Sequence, residues 1–417
     1  MDRQLGLRVN AGQFALLVGV NALVGGMLGQ ERTVLPLLAR DVFGLTGVSL
    51  ILSFIVAFGV TKAIANLVAG ALADRYGRKP VLIAGWLLAL PVPLLLIWAP
   101  SWAWVIVANV LLGASQGLTW STTVIMKIDL VGPARRGLAM GLNEAAGYGA
   151  VALTALLTGF IAAEAGLRPG PFLFGLAVAG LGLGISALFV RETRGHLELE
   201  RGVAGASLPW VAVFRRTSLD SPSLSAASQA GLVNNLNDGM AWGLLPLFYA
   251  SHGLSLAEIA VLIAAYPAVW GLAQIGTGAL SDRIGRKGLI VGGLMVQAAA
   301  LAWTAASLSF VPWLLASLVL GLGTAMVYPT LLAVIADVAD PGWRGSAVGV
   351  YRLWRDLGFA VGAVVGGVVA QIAGIPVAIA GVAILTGLSG LVVLARMRES
   401  RPTRPAAATL DPMARTG

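Results

Sequence analysis

Long apolar stretches separated by short polar clusters follow one another through the whole chain. Twelve of them are long enough to cross a membrane, because its hydrocarbon core is spanned by about 20 apolar residues in a helix. They cover approximately residues 13–39, 46–73, 80–98, 102–126, 137–164, 171–191, 224–250, 256–280, 287–309, 311–336, 344–373 and 375–396. The pattern predicts an all-α membrane protein with twelve transmembrane helices.

The composition excludes most soluble classes of protein. Of 417 residues, 58% are hydrophobic and only 11% are charged, whereas soluble domains carry about 25% charged residues. The chain has no cysteine and two histidines, which leaves no basis for a thiolate or histidine metal site. A phosphate-binding loop with its lysine is absent as well. We therefore expect no enzyme activity, no metal and no cofactor.

The distribution of basic residues predicts how the chain is oriented. The net charge is +9, but the basic residues lie at helix ends rather than on one face, which argues against nucleic-acid binding. With both termini in the cytoplasm, 24 of the 28 basic residues fall at the cytoplasmic side, as the positive-inside rule requires. The sequence predicts a multi-pass protein of the plasma membrane with cytoplasmic termini.

One decapeptide occurs twice. Residues 70–79, with Gly70, Asp74 and Arg78, recur after a shift of 208 residues as 278–287, with Gly278, Asp282 and Arg286 at the equivalent positions. An internal repeat of half the chain indicates two similar six-helix bundles. We assign them to residues 1–191 and 224–396, joined by a cytoplasmic linker at 192–223 and followed by a disordered cytoplasmic tail at 397–417. One chain holds both halves, so we expect a monomer.

The repeated motif resembles the signature that the major facilitator superfamily carries between its second and third helices. The resemblance implies two pseudo-symmetric bundles around a central cavity, which is opened to either side in turn. It also implies that Asp74 meets the positive N-terminus of the eleventh helix, while Gly70 allows close helix packing. Gly70, Asp74 and Arg78, with Gly278, Asp282 and Arg286, would then form a conformational latch. A plain topogenic turn would explain the cations but not the repeated glycine and aspartate.

Polar residues within the spans are candidates for the transport pathway, because burying charge in a membrane is costly and usually functional. Asn234, Asp238 and Trp242 share one face of the seventh helix, at spacings of four residues. Arg32 in the first helix and Lys62 in the second are further cavity candidates. The alternative for the seventh-helix stripe is a hydrogen-bond cluster that only packs helices together.

Three carboxylates are candidates for proton coupling: Asp238, Glu31 and Glu144. A carboxylate in a poorly hydrated cavity can bind and release a proton near neutral pH. Glu144 and Arg352 are equivalent under the shift of 208 residues. With Arg355 and Asp356 they suggest ion pairs between the halves, which either break during transport or remain as permanent buried pairs.

The fourth and tenth helices carry matching polar stripes. The family lines its cavity with the first, fourth, seventh and tenth helices, so the resemblance makes Gln116, Trp120, Thr324 and Tyr328 substrate-contact candidates. The alternative is that these groups only join neighbouring helices.

The sequence thus predicts a secondary active transporter that exports a small solute in exchange for protons. Two departures from the family weaken a multidrug assignment: Asn109 stands where many proton-coupled members have arginine, and the fifth helix has no Gly-Pro pair. The basic candidates favour an anionic or strongly polar solute, whereas the aromatic ones favour an amphiphilic one. Alternatives are uptake of a polar or anionic metabolite by symport, and a membrane sensor or assembly factor without transport.

Overall fold

The computed structural model describes residues 5–131, 136–197, 208–340 and 342–400. Residues 198–207 of the proposed linker and 401–417 of the proposed tail lie outside these ranges. The described residues form α-helices, one π-helical turn at Arg216–Asp220 and no strands. The helices are α1 Ala11–Arg32, α2 Leu35–Asp41, α3 Val48–Ile51, α4 Ser53–Tyr76, α5 Arg78–Ala89, α6 Pro91–Trp98, α7 Trp102–Val131, α8 Arg136–Ala165, α9 Gly170–Leu188, α10 Arg194–Leu197, α11 Trp210–Arg215, α12 Pro222–Ser251, α13 Leu256–Ile284, α14 Arg286–Ala306, α15 Phe310–Val338, α16 Arg344–Ala373 and α17 Ile375–Arg396.

Within the described ranges, eleven helical segments are long and apolar enough to cross a membrane. Three of them combine neighbouring helices: α1 with α2, α3 with α4, and α5 with α6. Helix α12, the predicted seventh span, has 30 residues, and its serines, asparagines and Asp238 leave it too polar to be counted among the eleven. The predicted all-α membrane fold is therefore confirmed, and eleven of its twelve predicted spans meet the length and apolarity of a membrane-crossing helix.

Two of the predicted spans are interrupted near a proline. The first is broken at Thr33 and Val34, ahead of Pro36, and the third at Leu90, ahead of Pro91. Proline lacks the N–H that continues a helix but fits its first turn, and each of these prolines lies in the first turn of a new helix. The first break leaves Arg32 at the C-terminal end of α1, deep inside the molecule.

The two halves of the chain meet along two equivalent helix pairs. Within the first half α1 packs against α8 and α4 against α7, and within the second half α12 packs against α16 and α13 against α15. Across the halves, α8 packs against α13 and α16 against α4. The shift of 208 residues converts one of these pairs into the other, so the contact has the same symmetry as the repeat.

The closest contacts between the halves lie far from the repeated motif. A Cβ atom added at Gly159 of α8 would be 2.3 Å from the Cβ of Ala260, and one at Gly59 of α4 would be 2.7 Å from the backbone nitrogen of Ala360. The amide of Val48 also donates to Gln371 at 2.7 Å. We call this side of the molecule the closed end and the side that carries Asp74 and Asp282 the motif end.

Candidate functional site

A buried ion pair joins the two halves near the middle of the molecule. Arg32 of α1 donates two hydrogen bonds to the carboxylate of Asp238 in α12, at 2.6 and 2.7 Å. The side chains are 2% and 0% exposed, and the guanidinium lies 5.3 Å from the ring centre of Trp242. A bidentate pair of this kind is among the strongest polar contacts in proteins. Two residues that the sequence named separately are thus direct partners.

Glu31, next to Arg32 in the chain, points elsewhere. Its carboxyl lies beside Asn109 of α7, inside the first half. The side chain is fully buried, and the Asn109 side chain is the polar group that its carboxyl meets. Glu31 therefore occupies a separate polar position within the first bundle.

Glu144 lies at a second crossing between the halves. Trp120 donates from its indole nitrogen to one carboxylate oxygen at 2.9 Å, and Tyr328 of α15 donates its hydroxyl to the other at 2.9 Å. Arg355 of α16 donates in turn to the Tyr328 hydroxyl. Glu144 is thus connected to Arg355 through the Tyr328 hydroxyl.

A third crossing involves α16 and two helices of the first half. Asp356 pairs with the adjacent Arg355 at 2.6 Å and accepts a hydrogen bond from Asn66 of α4. Arg352 donates to Ser121 of α7 at 3.1 Å, and Ser121 donates to Asn66 at 2.5 Å. Arg352, Arg355 and Asp356 all belong to one polar network that spans the contact between the halves.

Lys62 lies between these polar groups and is only 2% exposed. Its ammonium lies over three aromatic rings, with centroid distances of 5.3 Å for Phe58, 5.4 Å for Trp120 and 5.1 Å for Phe359. No hydrogen bond or ion pair of this ammonium is present in the described part of the chain. The nearby charged groups include Asp356, Asp238 and Glu144, but none of them is a direct partner.

Aromatic side chains fill the contact around these groups. Tyr148 of α8 stacks on Trp270 of α13, with ring centres 3.5 Å apart. Nearer the closed end, Trp242 of α12 packs edge-on against Phe54 and Phe58 of α4. These rings fill the contact between the halves, from its middle toward the closed end.

Three cavity candidates form contacts inside a single half. Asn234 accepts from Gln297 of α14 at 3.1 Å, Gln116 donates to the carbonyl of Val24 at 2.7 Å, and Thr324 donates to the carbonyl of Leu320 on its own helix. Their placement matches the alternative that these residues join or stabilise helices. The structure brings together Arg32, Lys62, Trp120, Glu144, Asp238, Trp242, Tyr328, Arg352, Arg355 and Asp356 instead.

The motif arginines have the same surroundings in both halves. Arg78 pairs with Asp74 at 2.8 Å and with Asp129 at 3.1 Å. Arg286 pairs with Asp282 at 2.6 Å and with Asp337 at 3.1 Å. The repeated sequence therefore forms a repeated charge cluster at the end of α7 and of α15.

The contacts expected of Gly70 and Asp74 are absent from this conformation. A Cβ atom at Gly70, or at Gly278, would meet no described residue within 4 Å, so neither glycine is at a close helix contact. The Asp74 side chain is 67% exposed and pairs with Arg78 on its own side of the interface. Asp74 and Asp282 are thus exposed instead of covered by the opposite half, and a latch formed by these residues stays a prediction for a conformation in which that end closes.

Glu192 and Glu399 make polar contacts that were not predicted from the sequence. Glu192 accepts from the amides of Arg78 and Lys79 at 3.0 Å each, which caps the start of α5. Glu399 accepts from the amide of Arg286 at 2.6 Å and so caps α14. Each glutamate follows the last long helix of its half. This similar placement in the two halves was the signal by which the sequence could have identified both residues.

Glu192 gives a prediction about stability and pH. Burial alone would raise its pKa, but the backbone amides of Arg194, Lys79, Arg78 and Thr193 outweigh that effect and hold the pKa below its usual value. A lowered pKa stabilises the fold above the pKa of the unfolded chain, and the stabilisation is lost as pH falls through the lower, folded-state value.

We expect Glu192→Gln to lower the free energy of unfolding at pH 7 by about 0.5–1 kcal/mol, a small value because the side chain is half-exposed. Thermal melting in detergent from pH 7 to pH 3 measures the effect. The difference from wild type should shrink below pH ~4, and Glu164→Gln, at an exposed position, should show no difference. A difference in stability between Glu192→Gln and wild type that stays constant with pH would contradict the capping role.

The fold and the charged contact between its halves define a class, that of multi-pass membrane proteins built from two similar helical bundles. The family model of the Major Facilitator Superfamily matches residues 14–232 and 227–413. The chain therefore belongs to this superfamily, as the repeated motif predicted, and this membership supports a secondary transporter.

Relatives in bacteria and in solved structures agree with this assignment. The chain is 25% identical over 411 residues to the uncharacterized MFS-type transporter YhhS of Escherichia coli K12, covering 94% of this chain and 92% of that protein. The match to YhhS of Salmonella paratyphi C is 27% identical but spans 64% of this chain and 60% of that protein.

Two solved transporters share the fold. The human organic anion transporter MFSD10 (TETRAN) is 20% identical, with a TM-score of 0.66, over 91% of this chain and 99% of that chain. A POT family transporter in complex with 5-aminolevulinic acid is 12% identical, with a TM-score of 0.73, over 91% and 95%. At these identities the likeness concerns the fold alone.

Proposed function

We propose that the protein is a proton-coupled secondary transporter that exports a small solute across the plasma membrane by alternating access. The observation that carries the proposal is the buried ion pair of Arg32 and Asp238, which joins the two halves across their contact. The proposal places the motif end in the cytoplasm, as the basic residues indicate. Export is chosen over symport because it is the more usual direction in families of this kind.

Contacts at the two ends support a change of access. The halves are in close contact at the closed end through Gly59 and Gly159, whereas Asp74 and Asp282 are exposed at the motif end. In the proposed orientation this arrangement is inward-facing. The outward-facing form would separate the glycine contacts and bring Asp74 to the N-terminus of α16, where a helix end attracts negative charge.

Protonation of Asp238 offers a way to couple a proton to this change. A neutral Asp238 no longer balances Arg32, and an unbalanced charge buried away from water is unfavourable by several kcal/mol. Protonation would therefore weaken the contact between the halves at this point. Glu144 offers a second such position, because its carboxylate accepts the hydroxyl of Tyr328 from the other half.

Glu31 has a different place in the proposal. Its carboxyl is fully buried beside the uncharged side chain of Asn109, and a charged carboxylate in that position would be unfavourable. We expect Glu31 to hold a proton in this conformation and to release it when water reaches α1. Glu31 would then be a proton site separate from the contact between the halves.

Transport by proteoliposomes under an imposed pH gradient tests the proposal. A thermal-shift screen against metabolites, drugs and oxyanions supplies the solute to be tested. Asp238→Asn should lose the dependence of flux on the pH gradient, because its side chain no longer binds a proton. Asp41→Asn, at an exposed carboxylate beside Arg40, is the matched control and should keep it. Transport by Asp238→Asn with an unchanged pH dependence would contradict the coupling mechanism.

A further inference from the structure

Cations and carboxylates are unequal in number where the two halves meet. The buried charged groups there are the cations Arg32, Lys62, Arg352 and Arg355 and the carboxylates Asp238, Glu144 and Asp356. Glu31 is not counted, because its carboxyl lies inside the first half. With these groups charged, the contact carries one uncompensated positive charge.

The polar contacts leave two of these cations, Lys62 and Arg352, without a carboxylate partner among the described residues. Arg32 pairs with Asp238, Arg355 pairs with Asp356, and Arg352 donates to Ser121. The ammonium of Lys62 meets only ring faces in the part of the chain that the structure describes. Arg352 is held by the Ser121 hydroxyl, so Lys62 is the cation of this contact that has no polar partner in those ranges.

The aromatic rings do not replace a counter-charge. A cation over a ring gains about 0.5–2 kcal/mol, whereas burying an unpaired ammonium costs several kcal/mol. Phe58 and Trp120 come from the first half and Phe359 from the second, so the three rings surround Lys62 only when the halves are together. An unpaired Lys62 ammonium makes this arrangement of the halves less stable. We therefore explain the presence of Lys62 by a ligand that it binds and not by a contribution to stability.

We propose that Lys62 binds the anionic group of the transported solute, and that the solute is an organic monoanion with an apolar or aromatic body. This inference rests on the transport function proposed above. One uncompensated charge is matched by one negative charge, and the compact ammonium of lysine suits a single carboxylate. Phe58, Trp120 and Phe359 supply the apolar surface for the remainder of the solute.

The proposal has a consequence for the transport cycle. Closing the halves around Lys62 is unfavourable while the ammonium is unpaired, and a bound anion removes that cost. A ligand shifts a conformational equilibrium by its difference in affinity for the two states. The loaded carrier should therefore change its access more readily than the empty one, so that exchange of labelled anion is faster than net flux.

Thermal stabilisation of the purified protein by a matched set of probes tests the site. The probes are 4-phenylbutyrate, its neutral amide, and 4-phenylbutylamine, which share the ring and chain and differ in charge. We expect the acid to raise the melting temperature and the amide and amine to leave it unchanged. Lys62→Met should need at least a 10-fold higher concentration of the acid for the same rise in melting temperature. Lys62→Arg should respond to the acid as wild type does.

Lys127→Met is the matched control, because Lys127 is also buried in the first half but donates to the carbonyl of Leu17. It should keep the preference for the acid. The melting temperature of ligand-free Lys62→Met separates binding from a structural role: it should equal or exceed that of wild type. A lower value, with the preference for the acid retained, would overturn the proposal, as would equal stabilisation of wild type by acid and amide.

Exchange of labelled 4-phenylbutyrate in proteoliposomes distinguishes this inference from the transport function itself. Binding that depends on Lys62 without any exchange would support the anion site and contradict transport. Exchange of anion that is unchanged in Lys62→Met would support transport and overturn the anion site.

Discussion

Replacing either member of the buried pair, by Arg32→Met or by Asp238→Leu, is expected to lower the free energy of unfolding by about 3–5 kcal/mol. Each change leaves the partner charged and buried, since the two side chains are 2% and 0% exposed. Arg32→Met with Asp238→Leu removes both charges and should recover most of the loss. All three variants should lose transport.

Thermal and denaturant unfolding in detergent, arranged as a double-mutant cycle, measures this effect. The cycle should give a large favourable coupling between Arg32 and Asp238, because the two groups are in direct contact. Arg40 and Asp41, an exposed pair at the end of α2, are the control and should give about 0–1 kcal/mol. Additive losses at Arg32 and Asp238 would contradict the pairing.

Gly159→Leu is expected to reduce transport by roughly 10-fold to 100-fold while the protein stays folded. The side chain cannot fit between α8 and α13, because even a Cβ atom would lie 2.3 Å from the Cβ of Ala260. Overpacking of this kind costs about 1–3 kcal/mol, and its largest part falls on the conformation in which the closed end is shut, because the nearest atom belongs to Ala260 of the other half. The halves should therefore remain apart at that end.

Gly149→Leu is the matched control on the same helix, because a Cβ atom there would meet no described residue within 4 Å. It should transport at close to the wild-type rate. Initial rates in proteoliposomes, with size-exclusion chromatography as the check on folding, provide the comparison. Equal rates in the two variants would show that closure between α8 and α13 is not required.

The sequence predicted the repeated architecture well, because it depends on local signals. Apolar length marks each span, and the decapeptides at 70–79 and 278–287 mark the repeat. The interruption ahead of Pro36 was also predictable from the conformational limits of proline. The interruption ahead of Pro91 was not expected, although the same limits apply there.

The sequence predicted many of the residues of the site but not the contacts between them. Arg32 and Asp238 stand out because charge within a span is rare, yet their pairing depends on how the two halves dock, and they are 206 residues apart. The contacts of Asn66 and Ser121 could not be predicted, because uncharged polar residues in a helix usually join neighbouring helices. Here they connect to Arg352 and Asp356 across the halves.

The contacts of Gly70 and Asp74 could not be predicted for this structure because they depend on which conformation is present. The repeat predicts that both copies behave alike, and they do: Asp74 and Asp282 are both exposed and both paired with the arginine four residues later. A sequence specifies all conformations of a carrier at once, whereas one structure shows a single member of that set.

Distances between spin labels measure alternating access most directly, and the chain has no native cysteine to interfere. One labelled pair, Asp41→Cys with Ser251→Cys, reports on the closed end, and the other, Tyr76→Cys with Ser346→Cys, reports on the motif end. All four positions are exposed. Under changes of pH and of 4-phenylbutyrate concentration, one distance should lengthen as the other shortens. Distances that stay fixed at both ends under every condition would contradict the account.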